Sequence, residues 1–256
     1  MKAAIAHAAA LLARGQRAVA LTGAGLSTES GIPDFRSPGG VWERFRPIEY
    51  QEFLASHAAR VEHWRYKRAT VPVMLAAAPN DAHVALAELE AAGRLQAVIT
   101  QNIDALHQRA GSRRVLELHG TNLETTCLLC AAHAPIAAAL AQLDAGADVP
   151  ACAGCGGWLK PATVSFGQAL PADVLQEAAT LARQSDCLLA LGSSLLVHPA
   201  ASLAGLAKQH GAVLIIVNLT ATPYDQQAEV VVHGKLGEAL PAIAAAALAR
   251  REGTQW

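Results

Sequence analysis

Short apolar runs alternate with longer amphipathic stretches along most of the chain. Residues 18–21, 95–99, 115–118, 187–191 and 213–217 are nearly continuous apolar runs of the length of a strand. Such runs are typical of strands that are buried on both faces of a parallel sheet. Because helix-like segments separate them, the pattern predicts an α/β fold with a Rossmann-like, mostly parallel sheet and helices on both faces.

The intervening segments carry recognisable helix and edge-strand patterns. Helices are predicted where apolar residues recur at helical spacing and where a glycine follows, as Gly15 and Gly93 do. The run 230–232 lies near the end of the chain and is short enough to be an edge strand. The predicted helices cover residues 2–14, 80–90, 171–184 and an alanine-rich stretch that ends near residue 250.

Residues 37–79 interrupt this regular alternation. Most of the aromatic side chains of the protein lie there, although aromatic residues make up only 4% of the chain. We interpret the stretch as a small helical insertion with a minor core of its own, rather than as a set of ligand contacts. The aromatic residues concerned are Trp42, Phe45, Tyr50, Phe53, Trp64 and Tyr66.

Composition and charge narrow the range of partners. The chain has 256 residues, 52% of them hydrophobic, with 20 Lys and Arg against 21 Asp and Glu. This balance provides no general attraction for nucleic acid or for an anionic membrane, so neither is expected as a partner. No apolar run approaches 18 residues, which argues against a membrane helix. The start of the chain is interpreted as an amphipathic helix rather than a signal peptide.

Five cysteines include two C-x-x-C pairs, Cys127 with Cys130 and Cys152 with Cys155. Two such pairs predict one tetrahedral Cys₄ zinc site, which leaves no open position for water and is therefore structural. Redox-active pairs are the alternative, and His133 is a possible substitute ligand. The arrangement favours a reducing compartment, hence a cytoplasmic protein. Cys187 lies within an apolar run and is expected in the core.

A glycine turn follows the first predicted strand. Gly23 and Gly25 lack a Cβ, so the backbone there can turn sharply and approach a phosphate. The spacing only partly fits the dinucleotide fingerprint G-x-G-x-x-G, because Thr28 occupies the place of the third glycine. The stretch Gly31 to Arg36 then adds a carboxylate, an aromatic ring and a guanidinium within six positions.

Polar residues also follow two further predicted strands. Residues 100–104 come directly after the strand 95–99, and His119 with Gly120 comes after the strand 115–118. Ligands of open α/β sheets lie beyond the carboxyl ends of the strands, so His119 is a candidate base. The remaining histidines lack this setting. His107 is expected to be structural, and surface positions are expected for His7, His57 and His63.

Four ordered segments resemble the sirtuins, the NAD-dependent protein-lysine deacylases. Residues 23–36 match the family signature G-A-G-x-S-x-x-S-G-I-P-D-F-R at every fixed position, and residues 100–107 match T-Q-N-I-D-x-L-H. His119 and Gly120 correspond to the family's His-Gly pair. Gly192 to Leu195 is similar to G-T-S-L, with Ser193 in place of threonine. The resemblance extends over nearly the whole chain.

The resemblance implies roles for individual residues. His119 would be the catalytic base, assisted by Gln101 and Asn102, and Val164, Phe166 and Gly167 would pair with the backbone of the peptide substrate. Asn102 and Asp104 are also candidate helix caps, and Val164 and Phe166 could belong to a plain buried strand. The implied NAD contacts are Gly23, Ala24, Gly25, Ser27, Ile32, Asp34, Phe35, Arg36, Gln101, Asn102, Ile103, Asp104, Gly192, Ser193, Ser194, Asn218, Leu219 and Leu236.

Several positions depart from family patterns. Some sirtuins that remove acidic acyl groups carry a Tyr-x-x-Arg pair in the helical insertion, where Trp64 and Lys67 stand here, which favours acetyl or another apolar acyl group. Ala162 stands where many relatives carry an acidic residue or histidine, and Gln168 stands where many carry a glutamate. Peptide preference near these positions is therefore open.

The resemblance implies an NAD-dependent deacylase of acyl-lysine proteins, which releases nicotinamide and O-acyl-ADP-ribose and carries one structural Zn²⁺. A mono-ADP-ribosyltransferase, a non-catalytic NAD sensor and a zinc-ribbon nucleic-acid module are the alternatives. A monomer is slightly favoured. The expected large domain comprises 1–36, 75–118 and 166–256, and the expected small domain comprises a helical insertion, 37–74, and a zinc module, 119–165.

Overall fold

The computed structural model describes residues 1–35 and 40–252, and its centre is a six-stranded parallel sheet. The strand order is β3-β2-β1-β7-β8-β9, so the order reverses between β1 and β7. That reversal opens the crevice in which α/β sheets bind ligands. The strands of this sheet are β1 (Ala18–Thr22), β2 (Ala97–Thr100), β3 (Val115–Glu117), β7 (Cys187–Leu191), β8 (Val213–Asn218) and β9 (Val230–His233).

Helices cover both faces of the sheet and bury two apolar clusters. On one face α1 packs against α10, and α10 packs against α5. On the other face α8 packs against α9. The central strands β1, β2 and β7 are buried along their whole length, which explains their continuous apolar sequence. The helices are α1 (Lys2–Arg14), α5 (Asp81–Ala91), α6 (Leu106–Arg109), α8 (Ala172–Gln184), α9 (Ser202–Gln209) and α10 (Leu236–Glu252).

A second, three-stranded antiparallel sheet carries the cysteines. Its order is β5-β4-β6, and α7 packs against β4. A separate apolar cluster joins α4 to this sheet through the fully buried Trp64, whose indole N–H donates to the backbone oxygen of Leu159 at 3.2 Å. The elements are β4 (Gly120–Cys127), β5 (His133–Pro135), β6 (Leu159–Thr163), α2 (Val41–Arg44), α3 (Tyr50–Ala55), α4 (His57–Ala76) and α7 (Ile136–Asp144).

The predicted architecture is confirmed. The helix that ends before Gly15, the strand 187–191 and the edge position of β9 are all found. The predicted strand 95–99 is displaced, since β2 begins two residues later, at Ala97, and ends at Thr100. Within residues 40–79 the interrupted pattern corresponds to three helices with small apolar clusters. In the part of the chain that is described, no helix is long and apolar enough to cross a membrane.

The surface position expected for His63 is wrong. Its side chain is buried, 6% exposed, on the inner side of α4, where it lies edge-on to Phe53 with ring centroids 5.1 Å apart. Burial, with the nearby charges of Lys67 and Lys160, lowers the pKa of His63 well below 6.5. His7 and His57 are exposed, as expected.

Candidate active site and metal centre

A cavity of about 760 Å³ lies beyond the carboxyl ends of the central strands. The loops that follow β1, β2, β7 and β8 form one side, and residues of α2, α4 and the segment after β6 form the other. Polar loop residues therefore meet an apolar and aromatic wall. This combination is typical of a site that binds a nucleotide and a second, less polar substrate.

Two glycine loops from distant parts of the chain interlock at the floor of the cavity. The N–H of Gly25 donates to the carbonyl oxygen of Gly192 at 2.9 Å, and the N–H of Gly23 donates to the carbonyl oxygen of Leu191 at 3.0 Å. Gly192 has φ +61°, and a Cβ there would lie 2.4 Å from the backbone nitrogen of Leu26. The close approach therefore requires glycine.

The loop after β2 is held by buried hydrogen bonds to the first glycine loop. Asn102 Nδ2 donates to the carbonyl oxygen of Gly23 and to Ser27 Oγ, both at 3.1 Å. Ser27 Oγ in turn donates to Asp104 Oδ2 at 2.7 Å. The other carboxylate oxygen of Asp104 accepts from the N–H of Leu106 at 3.0 Å, but the N-cap residue of α6 is Ala105, so Asp104 is not the helix cap.

His119 lies between β3 and β4 and lines the cavity. Its Nδ1 is 2.9 Å from the backbone carbonyl oxygen of Gln101. Since a carbonyl oxygen only accepts, Nδ1 carries the proton, and Nε2 of the neutral ring keeps its lone pair. Burial lowers the pKa of His119 below 6.5, although the bond to Gln101 opposes this shift. The ring is therefore a neutral base at physiological pH.

Most of the residues predicted for the site lie together around this cavity. Those that line it are Gly23, Ala24, Gly25, Asp34, Phe35, Gln101, Asn102, Ile103, His119, Val164, Phe166, Gly167, Gly192, Ser193, Ser194, Asn218 and Leu219.

Four predicted residues lie behind the cavity wall instead. Ser27 and Asp104 form the buried hydrogen bond described above, and Ile32 packs against Met74 and Leu106. Leu236, predicted to contact adenine, is 4% exposed and belongs to the main apolar core. Arg36 lies outside the described residues.

Part of the cavity wall comes from the helical insertion, where the sequence singled out Lys67 but not His63 or Tyr66 as a site position. His63, Tyr66 and Lys67 of α4 line the inner wall, whereas Trp64 points into the core next to the small sheet. Lys67 Nζ donates to Asn122 Oδ1 at 2.8 Å, and burial lowers the pKa of Lys67 to about 7, with a smaller contribution from Lys160. Because the residues on this inner face of α4 are polar, the hydropathy pattern does not reveal that they are buried.

The segment after β6 is open to the cavity. Residues 164–168 are not part of a strand, and Phe166 is 44% exposed, so the plain buried strand is not found. The N–H of Val164 donates to the carbonyl oxygen of His119 at 2.8 Å. The segment is thus fixed next to the candidate base.

The four cysteines of the small sheet converge. Their sulfur atoms all lie within 4.8 Å of one another, with 3.4 Å between Cys127 and Cys155 and 3.8 Å between Cys130 and Cys152. A tetrahedral Zn²⁺ with Zn–S bonds of about 2.3 Å separates its sulfurs by about 3.8 Å. The cluster therefore fits one zinc ion without rearrangement of the backbone.

The other candidate ligands lie elsewhere. His133 Nδ1 is 3.1 Å from Glu124 Oε2. Cys187 is 1% exposed in β7, and burial raises the pKa of its thiol to about 12, as expected for a core residue. His107 is 1% exposed and bonds to Thr22 inside the protein, which confirms its structural position.

A parallel sheet with interlocked glycine loops, a neutral histidine in the cavity and a closed Cys₄ cluster define a nucleotide-binding α/β protein with a structural metal module. The model of the Sir2 family matches residues 23–199, and the chain belongs to that family. It is 46% identical to the NAD-dependent protein deacetylase of Thermodesulfovibrio yellowstonii over 230 residues, 90% of each chain. It is 44% identical to the NAD-dependent protein deacylase 2 of Archaeoglobus fulgidus, covering 93% of this chain and 94% of the relative.

Solved structures support the same relationship. A structure described as the structural basis for the mechanism and regulation of Sir2 enzymes has a TM-score of 0.88 and 42% identity, and the match covers 98% of this chain and all of the other. A Sir2–p53 peptide–NAD⁺ complex has a TM-score of 0.84 and 41% identity, with 90% of this chain and 93% of the other covered.

Proposed function

We propose that the protein is an NAD-dependent protein-lysine deacylase that removes acetyl or another apolar acyl group and releases nicotinamide and O-acyl-ADP-ribose. The observation that carries this proposal is the placement of a neutral His119 in one cavity with two glycine loops and an open substrate segment. The related deacetylases and the Sir2 complex with peptide and NAD⁺ support it.

His119 is the proposed catalytic base. When bound, NAD supplies a ribose C1′ that the acyl amide oxygen can attack as nicotinamide leaves. His119 Nε2 has the lone pair needed to remove a proton from a ribose hydroxyl, while Nδ1–H remains bonded to Gln101. The oxygen freed of its proton could then attack the acyl carbon of the C1′-linked imidate. The acyl C–N bond would break, lysine would leave as its amine, and one water would be consumed to give O-acyl-ADP-ribose.

The glycine loops are proposed to hold the dinucleotide. Gly23, Gly25 and Gly192 let the backbone approach the phosphates, and Ser193 Oγ, which accepts from Gln101 Nε2 at 3.0 Å, joins the second glycine loop to the loop after β2. Asn218 at the end of β8 lines the cavity and is proposed to bind the adenosine ribose. Phe35 lines the same cavity and is proposed to limit the access of water to the reacting carbon.

The Cys₄ cluster is proposed to hold one structural zinc ion. Four thiolates complete the coordination, so no position remains for a reacting water. The small sheet offers only a modest apolar core, and metal binding there would contribute folding free energy. Cys127, Cys130, Cys152 and Cys155 are the ligands.

An acyl-lysine peptide is the proposed partner. The exposed backbone of residues 164–167 borders the cavity and can pair with an extended peptide, which makes recognition tolerant of sequence. The division into a three-segment large domain and a small domain, a cytoplasmic location and a monomeric state also belong to this proposal.

The test is incubation of the purified protein with NAD and a panel of acyl-lysine peptides, with nicotinamide and the acyl product measured by mass spectrometry. Release of nicotinamide together with O-acyl-ADP-ribose is expected, fastest with acetyl and other apolar groups. ADP-ribosylated protein in place of O-acyl-ADP-ribose would identify a transferase. Absence of nicotinamide release from zinc-loaded protein with every peptide would exclude the proposal.

A further inference from the structure

A chain of buried hydrogen bonds runs beneath the cavity. The hydroxyl of Thr22, the last residue of β1, donates to Thr100 Oγ1 at 2.8 Å. Thr100 Oγ1 also accepts from the backbone N–H of Asn102 at 3.0 Å. On its other side, Thr22 Oγ1 lies 2.9 Å from His107 Nε2. Thr22, Thr100 and His107 are each no more than 2% exposed, so water does not compete for these bonds.

His107 joins this chain through Nε2, and its tautomer decides whether Nε2 or the Thr22 hydroxyl donates. Burial lowers the pKa of His107 to about 3, with a smaller contribution from His83, so the ring is neutral at physiological pH.

A second buried imidazole, that of His83, lies beside His107. In the capping box of α5, His83 Nδ1 lies 3.3 Å from the backbone nitrogen of Asn80 and 3.1 Å from Asn80 Oδ1. The two rings lie 5.0 Å apart between centroids. Among the described residues, neither His83 Nε2 nor His107 Nδ1 has a hydrogen-bond partner. One hydrogen bond, direct or through a single buried water, would satisfy both atoms.

Both ends of this chain reach the candidate NAD site. At one end the Asn102 side chain binds Gly23 and Ser27. At the other end Asn80 Nδ2 donates to the carbonyl oxygen of Leu26 at 2.8 Å, within the first glycine loop. The rings of His83 and His107 are therefore placed to hold the loop after β2 and the first glycine loop in a fixed position relative to each other.

We propose that Thr22 and His107 are positioning residues for NAD cleavage, which hold the Asn102 loop against the first glycine loop. This inference rests on the proposed deacylase function. Neither residue lines the cavity, so they act through Thr100 and Asn102 and have no direct contact with substrate.

The test compares Thr22→Val with Thr22→Ser in the full-length protein. Valine keeps the volume but breaks the chain of bonds, and we expect the kcat of nicotinamide release to fall about ten-fold, as loss of a buried hydrogen bond allows. The KM for NAD should rise, while the KM for acetyl peptide stays constant. Serine retains the hydroxyl and should restore both parameters.

Ser185→Ala is the matched control, because it removes a buried hydroxyl that donates to Ala182 at the end of α8. It should leave both KM values unchanged. If Thr22→Val only destabilised the fold, fewer molecules would be active, so the apparent kcat would fall while both KM values stayed unchanged. Wild-type activity with unchanged constants in Thr22→Val would overturn the inference, whereas an inactive wild type would instead remove the proposed function.

A measurement on the histidine rings themselves provides a second test. Nitrogen-15 NMR should find His107 neutral between pH 6 and pH 8, and Thr22→Val should shift the Nε2 resonance because the bond to Thr22 is lost. An Nε2 resonance that is the same in Thr22→Val and wild type would contradict the network.

Discussion

The Nδ1 atom of His119 lies 2.9 Å from the backbone carbonyl oxygen of Gln101, the first residue after β2. One loop therefore contributes both a side chain to the cavity and the acceptor that orients the proposed base. The proton on Nδ1 is fixed by this contact, so Nε2 is the only ring atom able to take a proton. The proposed base is oriented by a backbone carbonyl group, which no side-chain substitution at position 101 removes.

The pH dependence of turnover should follow from the burial of His119. Burial lowers the pKa of this ring below 6.5. A base acts when it is neutral, so kcat/KM should fall only as the pH drops through a value below 6.5 and should be level from pH 7 to 8. Initial rates of nicotinamide release across this range measure it. An acidic limb with a midpoint above pH 7 would contradict the assignment.

Removal of the base should separate chemistry from binding. His119→Ala is expected to lower deacylation by about 10²–10⁴-fold, the usual contribution of a general base. NAD binding, measured by calorimetry, should persist because the glycine loops are unchanged. His57→Ala, at an exposed position on α4, is the control and should retain full activity. Equal activity of the two variants would remove His119 from the mechanism.

Zinc content should depend on the cluster and not on the remaining cysteine. Cys127→Ser is expected to bind less than one equivalent of zinc and to unfold at lower temperature, because metal binding there contributes to folding. Elemental analysis and thermal unfolding measure both effects. Cys187→Ala changes a core thiol outside the cluster and should retain the metal. Full occupancy in Cys127→Ser would contradict the Cys₄ site.

Two glycines with left-handed backbone should respond differently to a Cβ. Gly192→Ala and Gly211→Ala each carry backbone strain of about 1–2 kcal/mol, since φ is positive at both. Only at Gly192 does the Cβ also collide, 2.4 Å from the nitrogen of Leu26, whereas nothing lies within 4 Å at Gly211. Gly192→Ala should therefore lose the NAD-induced rise in Tm, which Gly211→Ala keeps. If both variants lost the NAD-induced rise in Tm, backbone strain alone would explain the loss and the collision at Gly192 would not be needed.

Lys67 should make stability depend on pH. Its pKa falls from 10.5 to about 7 on folding, chiefly through burial, so the unfolded chain binds the proton more tightly. The resulting destabilisation is absent above pH 10.5, grows as the pH falls towards 7, and is constant below. In urea unfolding, the free energy of unfolding of Lys67→Met minus that of wild type should be larger at pH 7 than at pH 10. An identical difference at the two pH values would contradict a buried amine.

The sequence predicted the sheet and the loops well because both are local signals. A fully buried strand such as β7 must be apolar at every position, and a glycine loop must carry glycine where backbones meet. The residues behind the cavity are harder to find. Ser27 and Asp104 are predicted as NAD contacts; they are buried and hydrogen-bonded to each other, and nothing in a linear motif reveals that bond.

The inner face of α4 is only partly predicted, for a different physical reason. Its buried positions include Arg60, His63 and Lys67. Two of these polar heads find partners inside the protein, since Arg60 Nη1 donates to the carbonyl oxygen of Phe53 at 2.9 Å and Lys67 donates to Asn122. A helix with charged residues on its buried face has the hydropathy pattern of a solvent-exposed helix. For this reason the sequence predicts a surface position for His63.

The contact between Gly25 and Gly192 joins parts of the chain that emerge far apart during synthesis. Neither glycine loop can adopt its shape until β1 and β7 lie side by side, because the two loops are held by backbone hydrogen bonds to each other. The dinucleotide pocket should consequently be among the last features to form as the chain folds. Ligand added to a growing or partly unfolded polypeptide would find nothing to bind, and capture of NAD would report completed assembly of the central sheet.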